Sequence, residues 1–171
     1  MSLIGLPLCI NKLRHLQDLH LQNNHLTTLP DSIGDLKQLQ QLNISGNRLT
    51  ELPIFMFTNT RKLTAFECRE NLLNSLPNFG EQKQLEHIDI SDNRLIELPT
   101  EMFTHLKKLS SLKLARNFLS LLPNGITSLP NLGKLDVRTN RLVALPENIG
   151  ELTSLCLELN VSHNLLTSLP D

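Results

Sequence analysis

Glu67 with Glu70, and Asp89 with Asp92, form two carboxylate pairs three residues apart, the residue type used for acid–base catalysis and for hard cations. Neither pair has a histidine beside it to complete a ligand set. His15, His20 and His25 are spaced five apart, which suits neither a zinc pair on one helical face nor one face of a strand. Cys9, Cys68 and Cys156 are odd in number and far apart, so they offer neither a disulfide framework nor a C-x-x-C metal site. They read as reduced thiols of a cytosolic protein. The serines and His163 near the end have no nucleophile-elbow or triad arrangement. No G-x-x-x-x-G-K phosphate loop occurs. The sequence therefore reads as a non-enzyme, with no catalytic residue, no metal site and no cofactor.

These residues are set in a strict repeat. Leu-Pro ends at Pro7, Pro30, Pro53, Pro77, Pro99, Pro123, Pro146 and Pro170, with gaps of 23, 23, 24, 22, 24, 23 and 24 residues. Six residues before each later proline stands an asparagine: Asn24, Asn47, Asn71, Asn93, Asn117, Asn140 and Asn164. Before each asparagine runs L-x-x-L-x-L, as in Leu39, Leu42, Ile44 or Leu109, Leu112, Leu114. The x-L-x-L-x segment alternates with period two and predicts a short strand with one apolar face. Proline, which has no N–H and a fixed φ, ends each strand unit. The stretch after it returns the chain on the opposite side, with Ile33 and Leu36, or Ile149 and Leu152, pointing inward. No single turn can bury its own leucines, so successive turns must stack. The asparagine, at the bend out of the strand, is expected to face inward and satisfy backbone groups.

The pattern L-x-x-L-x-L-x-x-N-x-L-x-x-L-P resembles the leucine-rich-repeat family over nearly the whole chain. The resemblance implies an α/β repeat solenoid, a curved right-handed coil. A parallel sheet of short strands lines its concave face, and 3-10, short helical or irregular returns form its convex face. It also implies an asparagine ladder. Residues 1–171 read as a single domain, a half-repeat over 1–15 followed by seven repeats over 16–171. Neither end shows the polar cap a solenoid needs, so a segment of a longer protein, or one seated against a partner, is expected.

Several irregularities stand out. A two-repeat unit recurs, since Asn47 through Thr58 matches Asn93 through Thr104 at a distance of 46 residues. The return over residues 78–84 is one residue short and has Gln82 where leucine is expected, which predicts a thinner convex side. Leu155 and Leu159 are four apart instead of three, which predicts a bulge holding Cys156 or Leu157.

Chemistry is then left to the outward columns of the strands. One runs His20, Asn43, Glu67, Asp89, Lys113, Asp136, Asn160. The next runs Gln22, Ser45, Arg69, Ser91, Ala115, Arg138, Ser162, and a third Asn23, Gly46, Glu70, Asp92, Arg116, Thr139, His163. A mixed-sign array of this kind favours a protein partner of complementary charge. The column after the asparagines alternates: Arg48, Leu72, Arg94, Phe118, Arg141, Leu165. Arginine and aromatic residues dominate interface hot spots, and the chain has no Trp or Tyr. The candidate partner-binding residues are Arg48, Glu67, Arg69, Glu70, Asp89, Asp92, Arg94, Lys113, Arg116, Phe118, Asp136, Arg138 and Arg141.

With 16 Lys and Arg against 17 Asp and Glu, the chain lacks the basic excess of a nucleic-acid binder. No apolar run approaches the roughly 18 residues of a membrane span. The sequons at Asn43 and Asn160 are no more than this composition yields by chance. The Leu-Pro-ended repeat resembles the intracellular class of Scribble-type scaffolds, Ras-suppressor-type proteins and repeat-bearing kinases. That resemblance implies a cytoplasmic scaffold or adaptor holding a protein on its concave face, with small GTPases or phosphatases as partners by analogy. The alternatives are an architectural subunit of a large assembly, or the recognition arm of an enzyme whose catalytic domain lies elsewhere.

Overall fold

A three-residue strand is stable only where neighbours take up its backbone groups, and here each repeat does so for the next. The structure is a computed structural model that describes residues 2–170. Seven strands form one parallel sheet in chain order. They are β1 (Asp18–His20), β2 (Gln41–Asn43), β3 (Ala65–Glu67), β4 (His87–Asp89), β5 (Ser111–Lys113), β6 (Lys134–Asp136) and β7 (Glu158–Asn160). Each is centred on the second apolar beat, so that Leu19, Leu42, Phe66, Ile88, Leu112, Leu135 and Leu159 pair in unbroken register.

The leucines make one continuous core. Leu112 and Leu114 are fully buried, as are Leu26, Leu49, Leu73, Leu95, Leu119 and Leu142 two residues after the asparagines. At the outermost strand one face has no neighbour, and Leu159 is 46% exposed. Most Leu-Pro units open the return with a tight turn. The Pro30 carbonyl, for example, accepts from Ile33 N–H at 3.0 Å, and the same bond recurs from Met56, Met102, Ile126 and Ile149. The 3-10 segments Asp31–Asp35, Asn124–Ser128 and Ile149–Glu151 begin there, with Leu8–Lys12 as a fourth on the convex side. Among the described residues no helix is long and apolar enough to cross a membrane.

Each buried asparagine joins two repeats. Asn93 Oδ1 accepts from Leu73 N–H of the preceding repeat at 3.1 Å, while its Nδ2 donates to the Cys68 carbonyl at 2.9 Å and to its own repeat's Ile90 carbonyl at 3.2 Å. Asn47, Asn71, Asn117, Asn140 and Asn164 repeat this arrangement. At the first rung, Asn24 accepts from Leu3 N–H at 2.8 Å.

The short return is absorbed differently from expectation, whereas the extra residue near the end is taken up at Leu157, one of the two expected positions. In the short return, Phe79 and Gln82 occupy the inward positions and both are fully buried, so the convex side is filled and not thinned. A larger ring replaces the missing residue's volume. Phe79 stacks on Phe57 at 4.4 Å between centroids, with Phe66 edge-on to Phe57 at 5.3 Å. The Asn78 side chain closes the turn by accepting from Gly80 N–H at 2.8 Å, Gly80 being in the left-handed region at φ +55°. Gln82 donates to the Phe57 carbonyl at 2.7 Å, while its Oε1 is buried with no partner among the described residues. Near the end, the extra residue enters before β7 and not within it. Leu157 and Glu158 both donate to the Gly133 carbonyl, the sharing seen at β2 to β6, and β7 keeps register with β6. Leu157 is displaced outward and 69% exposed, and a Cβ at Gly133 would lie 3.2 Å from its Cδ1.

Between each strand and its asparagine the chain must reverse sharply, and one residue per repeat takes a left-handed conformation: Asn23, Gly46, Glu70, Asp92, Arg116, Thr139 and His163, with φ between 53° and 64°. An L residue there costs roughly 1–2 kcal/mol, and a β-branched one is an outlier, whereas asparagine tolerates it. Thr139→Asn is therefore expected to raise the free energy of unfolding by about 0.5–1 kcal/mol, read from the urea midpoint. A midpoint that stays or falls would show that the threonine side chain offsets the strain.

Candidate functional site

Side-chain length decides what the concave face presents past the strand. In the column one residue before the left-handed position, Ser45, Ser91 and Ala115 are buried while the longer Gln22, Arg69 and Arg138 reach solvent. The columns read as outward-facing are therefore only partly exposed. Ser45, Ser91, Ala115 and Asp136 are buried, contrary to expectation for the whole array. The first column alternates by repeat from β1 to β6, and β7 breaks the alternation. Asn43, Asp89, Asp136 and Asn160 each accept, through Oδ1, the backbone N–H of the residue two further on, at 3.0–3.2 Å. These short side chains cap the end of their strand. His20, Glu67 and Lys113, in the repeats between, are exposed and make no such bond.

Four of the concave cations are paired with carboxylates of the same face, while exposed Lys134 on β6 has no such partner among the described residues. Arg69 pairs with Glu70, Lys113 Nζ lies 3.9 Å from Asp89, Arg116 Nη1 lies 3.2 Å from Asp92, and Arg138 Nε lies 3.5 Å from Asp136. Its hydrogen bond to Glu70 raises the Arg69 pKa above its ordinary value. Glu67 accepts from the Asn43 amide at 2.7 Å. Both carboxylate pairs are thus engaged by cations, amides or backbone N–H groups. Among the described residues no group of three His, Cys, Asp or Glu is gathered to hold a metal ion. Asp136 has both oxygens taken by Arg138 and is 7% exposed. A polar depression of about 340 Å³ lies between the second and third repeats, with Asn43, Glu67, Arg69 and Glu70 in its wall.

The structure brings Glu67, Arg69, Glu70, Asp89, Asp92, Lys113, Arg116, Asp136 and Arg138 together on this face. It sets Arg48, Arg94, Phe118 and Arg141 apart, on the edge where the chain leaves the sheet, one repeat joined to the next by backbone bonds such as Phe118 N–H to Leu95 O at 2.8 Å. Arg141 Cζ lies 4.5 Å above the Phe118 ring centroid. On the opposite edge lies a column the sequence reading passed over. Arg14, Lys37, Arg61, Lys83 and Lys107 hold one position, two residues before the first leucine, in five consecutive repeats. Arg61 and Lys83 reach Glu81 at 3.7 and 3.8 Å. Aligning residues upstream of the L-x-x-L-x-L segment would have revealed it.

Cys68 takes the place of the third leucine on β3, fully buried. Burial pushes its thiol pKa well above the ordinary range, with Asp89 adding to the shift, so it remains a protonated apolar filler. Cys9 and Cys156 are exposed.

The profile of the leucine rich repeat family matches residues 7–49 and 83–142. No curated protein matches the chain. Among solved structures, a leucine-rich-repeat protein of Leptospira interrogans is similar at 35% identity with a TM-score of 0.91, over 99% of this chain and 43% of that one. The ectodomain of the Arabidopsis thaliana receptor kinase GASSHO1/SCHENGEN3, solved with Casparian strip integrity factor 2, is similar at 30% identity and a TM-score of 0.87, over 98% of this chain and 21% of that one. The repeat domain of the type III effector XopL is similar at 25% identity and a TM-score of 0.80, over 99% of this chain and 69% of that one. The chain thus spans less than half the length of the first two.

Thiol titration with a disulfide reagent is expected to show two fast-reacting groups in the native protein, Cys9 and Cys156, and a third only after unfolding. Three fast groups would mean that β3 opens readily.

Proposed function

The chain belongs to the leucine-rich-repeat family, whose coil is a protein–protein interaction module, and from that premise we propose that it is a scaffold or adaptor that grips a partner protein on its concave face. The observation that carries this reading is the charged array across β3 to β6. Long, exposed Glu67, Arg69, Lys113 and Arg116 project from a sheet whose backbone is already fixed by the core and the ladder. Such an array costs little ordering on binding and discriminates partners by sign and position. Because Arg69, Lys113, Arg116 and Arg138 each have an acidic partner close by on their own repeat or one strand across, the partner must present a matching mosaic and not a single block of one charge. Asp89, Asp92 and Asp136 belong to the site as the inner members of these pairs, and Glu70 and Arg138 as exposed ones. Arg48, Arg94, Phe118 and Arg141 form its rim. A small GTPase or a phosphatase, each a folded protein with a charged surface, is a partner of the required kind by family analogy alone.

The chain acts by binding in this reading, and its carboxylates serve the mosaic in place of acid–base chemistry. Its compartment is the cytoplasm: three unpaired thiols, two of them exposed, suit a reducing environment.

The face can be tested without disturbing the fold, because exposed ion pairs contribute only about 0–1 kcal/mol each. Arg138 is unsuitable for charge reversal, since a carboxylate there would face buried Asp136. A protein captured by the full chain is expected to bind the Arg69→Ala, Lys113→Ala, Arg116→Ala variant at least tenfold more weakly, with the melting temperature within a few degrees of the parent. Equal affinity would remove the partner from the concave face, and a matching collapse of stability would make these residues structural.

A further inference from the structure

The edge column differs from the concave face in one respect that bears on ligand chemistry. Among the described residues the concave cations Arg69, Lys113, Arg116 and Arg138 are paired and Lys134 is not, whereas on the edge none of Arg48, Arg94 and Arg141 forms an ion pair. All three are exposed. Glu51 and Glu97 follow the first two by three residues and still do not pair with them. Between the arginines stand apolar side chains open to solvent, Phe118 at 41% and Leu165 at 59% exposed, with Leu72 half-buried. Ile96 and Val143, at 60% and 51%, add an apolar shoulder two residues further along the same segments. Unpaired guanidinium groups alternating with exposed apolar surface are the composition of a hot spot without its partner.

The spacing narrows the partner. Adjacent repeats are about 4.8 Å apart at the sheet, so arginines in alternate repeats recur about every 10 Å. A polyproline helix has three residues per turn and rises about 3.1 Å per residue, so equivalent side chains recur about every 9 Å on one face. Two of its three rows can lie against a surface at once. A row of carboxylates would meet Arg48, Arg94 and Arg141 in turn, and a row of prolines would meet Leu72, Phe118 and Leu165. A β-strand does not fit this column, because its residues at i and i+3 point to opposite sides. Arg141 Cζ, 4.5 Å from the Phe118 ring centroid, sets a guanidinium beside an aromatic ring of the kind that receives proline.

We propose that this edge docks an acidic, proline-rich protein segment carrying a carboxylate at every third residue. The segment binds along the coil, beside the concave face, and needs no occupant of that face. The probe is a labelled peptide of four Glu-Pro-Pro triplets, titrated by fluorescence anisotropy into the full chain at low ionic strength. It is expected to bind at least tenfold tighter than Lys-Pro-Pro triplets, and several-fold tighter than a Glu-Pro-Pro-Pro peptide of equal charge. Arg94→Glu with Arg141→Glu should weaken it at least tenfold and Phe118→Ala several-fold, with melting temperatures retained. Lys37→Glu with Lys107→Glu, on the opposite edge, should leave it within twofold, as should the concave alanine variant. Absence of binding, equal binding of the differently spaced peptide, or equal loss from the opposite-edge variant would each overturn the proposal. Loss confined to the concave variant would return the segment to that face.

Discussion

The amide of one buried asparagine per repeat is the interaction on which the molecule turns. Hydrophobic stacking brings the repeats together, but leucines alone do not fix a register, because apolar contact is non-directional. The asparagine supplies direction. From Asn47 to Asn164 its oxygen takes an N–H of the preceding repeat, and its nitrogen bridges carbonyls of both repeats. All these groups are out of water, so each would otherwise carry the full cost of an unmade hydrogen bond. One side chain therefore satisfies the turn of its own repeat and locks that turn to the one before it. This is why seven strands of three residues hold together as a sheet.

What the face displays follows from that constraint. To bring the asparagine inward within a few residues of the strand, the chain passes through a left-handed residue, and of the side chains just before it Ser45, Ser91 and Ala115 stay buried while Arg69 and Arg138 reach solvent. The second, fourth and sixth repeats then cap the strand with Asn43, Asp89 and Asp136, and the seventh does so with Asn160. The repeats carrying Asn43, Asp89 and Asp136 are those with Arg48, Arg94 and Arg141 on the edge, so the two-repeat period joins a structural device on the strand to an arginine beside it. The intervening repeats put Glu67 and Lys113 outward and Leu72 and Phe118 on the edge. An array of alternating character results, built on a backbone that repeats every turn.

The strands were legible because a period of two inside a period of about 23 residues leaves no other arrangement for the leucines, and each strand is centred where the spacing put it. The ladder was legible because a polar residue invariant among leucines must be satisfied internally. The exposure of the site was less so. Alternation gives a side chain's direction and not its reach, so the burial of Ser45, Ser91, Ala115 and Asp136 could not be counted off the sequence, nor could the pairing of Lys113 with Asp89 across strands. Volume compensation is also silent in a one-dimensional pattern: Gln82 signals a missing leucine, while the stacking of Phe79 on Phe57 depends on which repeats are neighbours in space.

If the asparagines couple the repeats, removing one from the middle of the coil must weaken more than its own turn. Equilibrium urea unfolding of Asn93→Ala is the direct measurement. The account predicts a loss of about 1–3 kcal/mol, from Leu73 N–H and the Cys68 carbonyl left buried without their partner. An unfolding midpoint identical to that of the parent chain would contradict it.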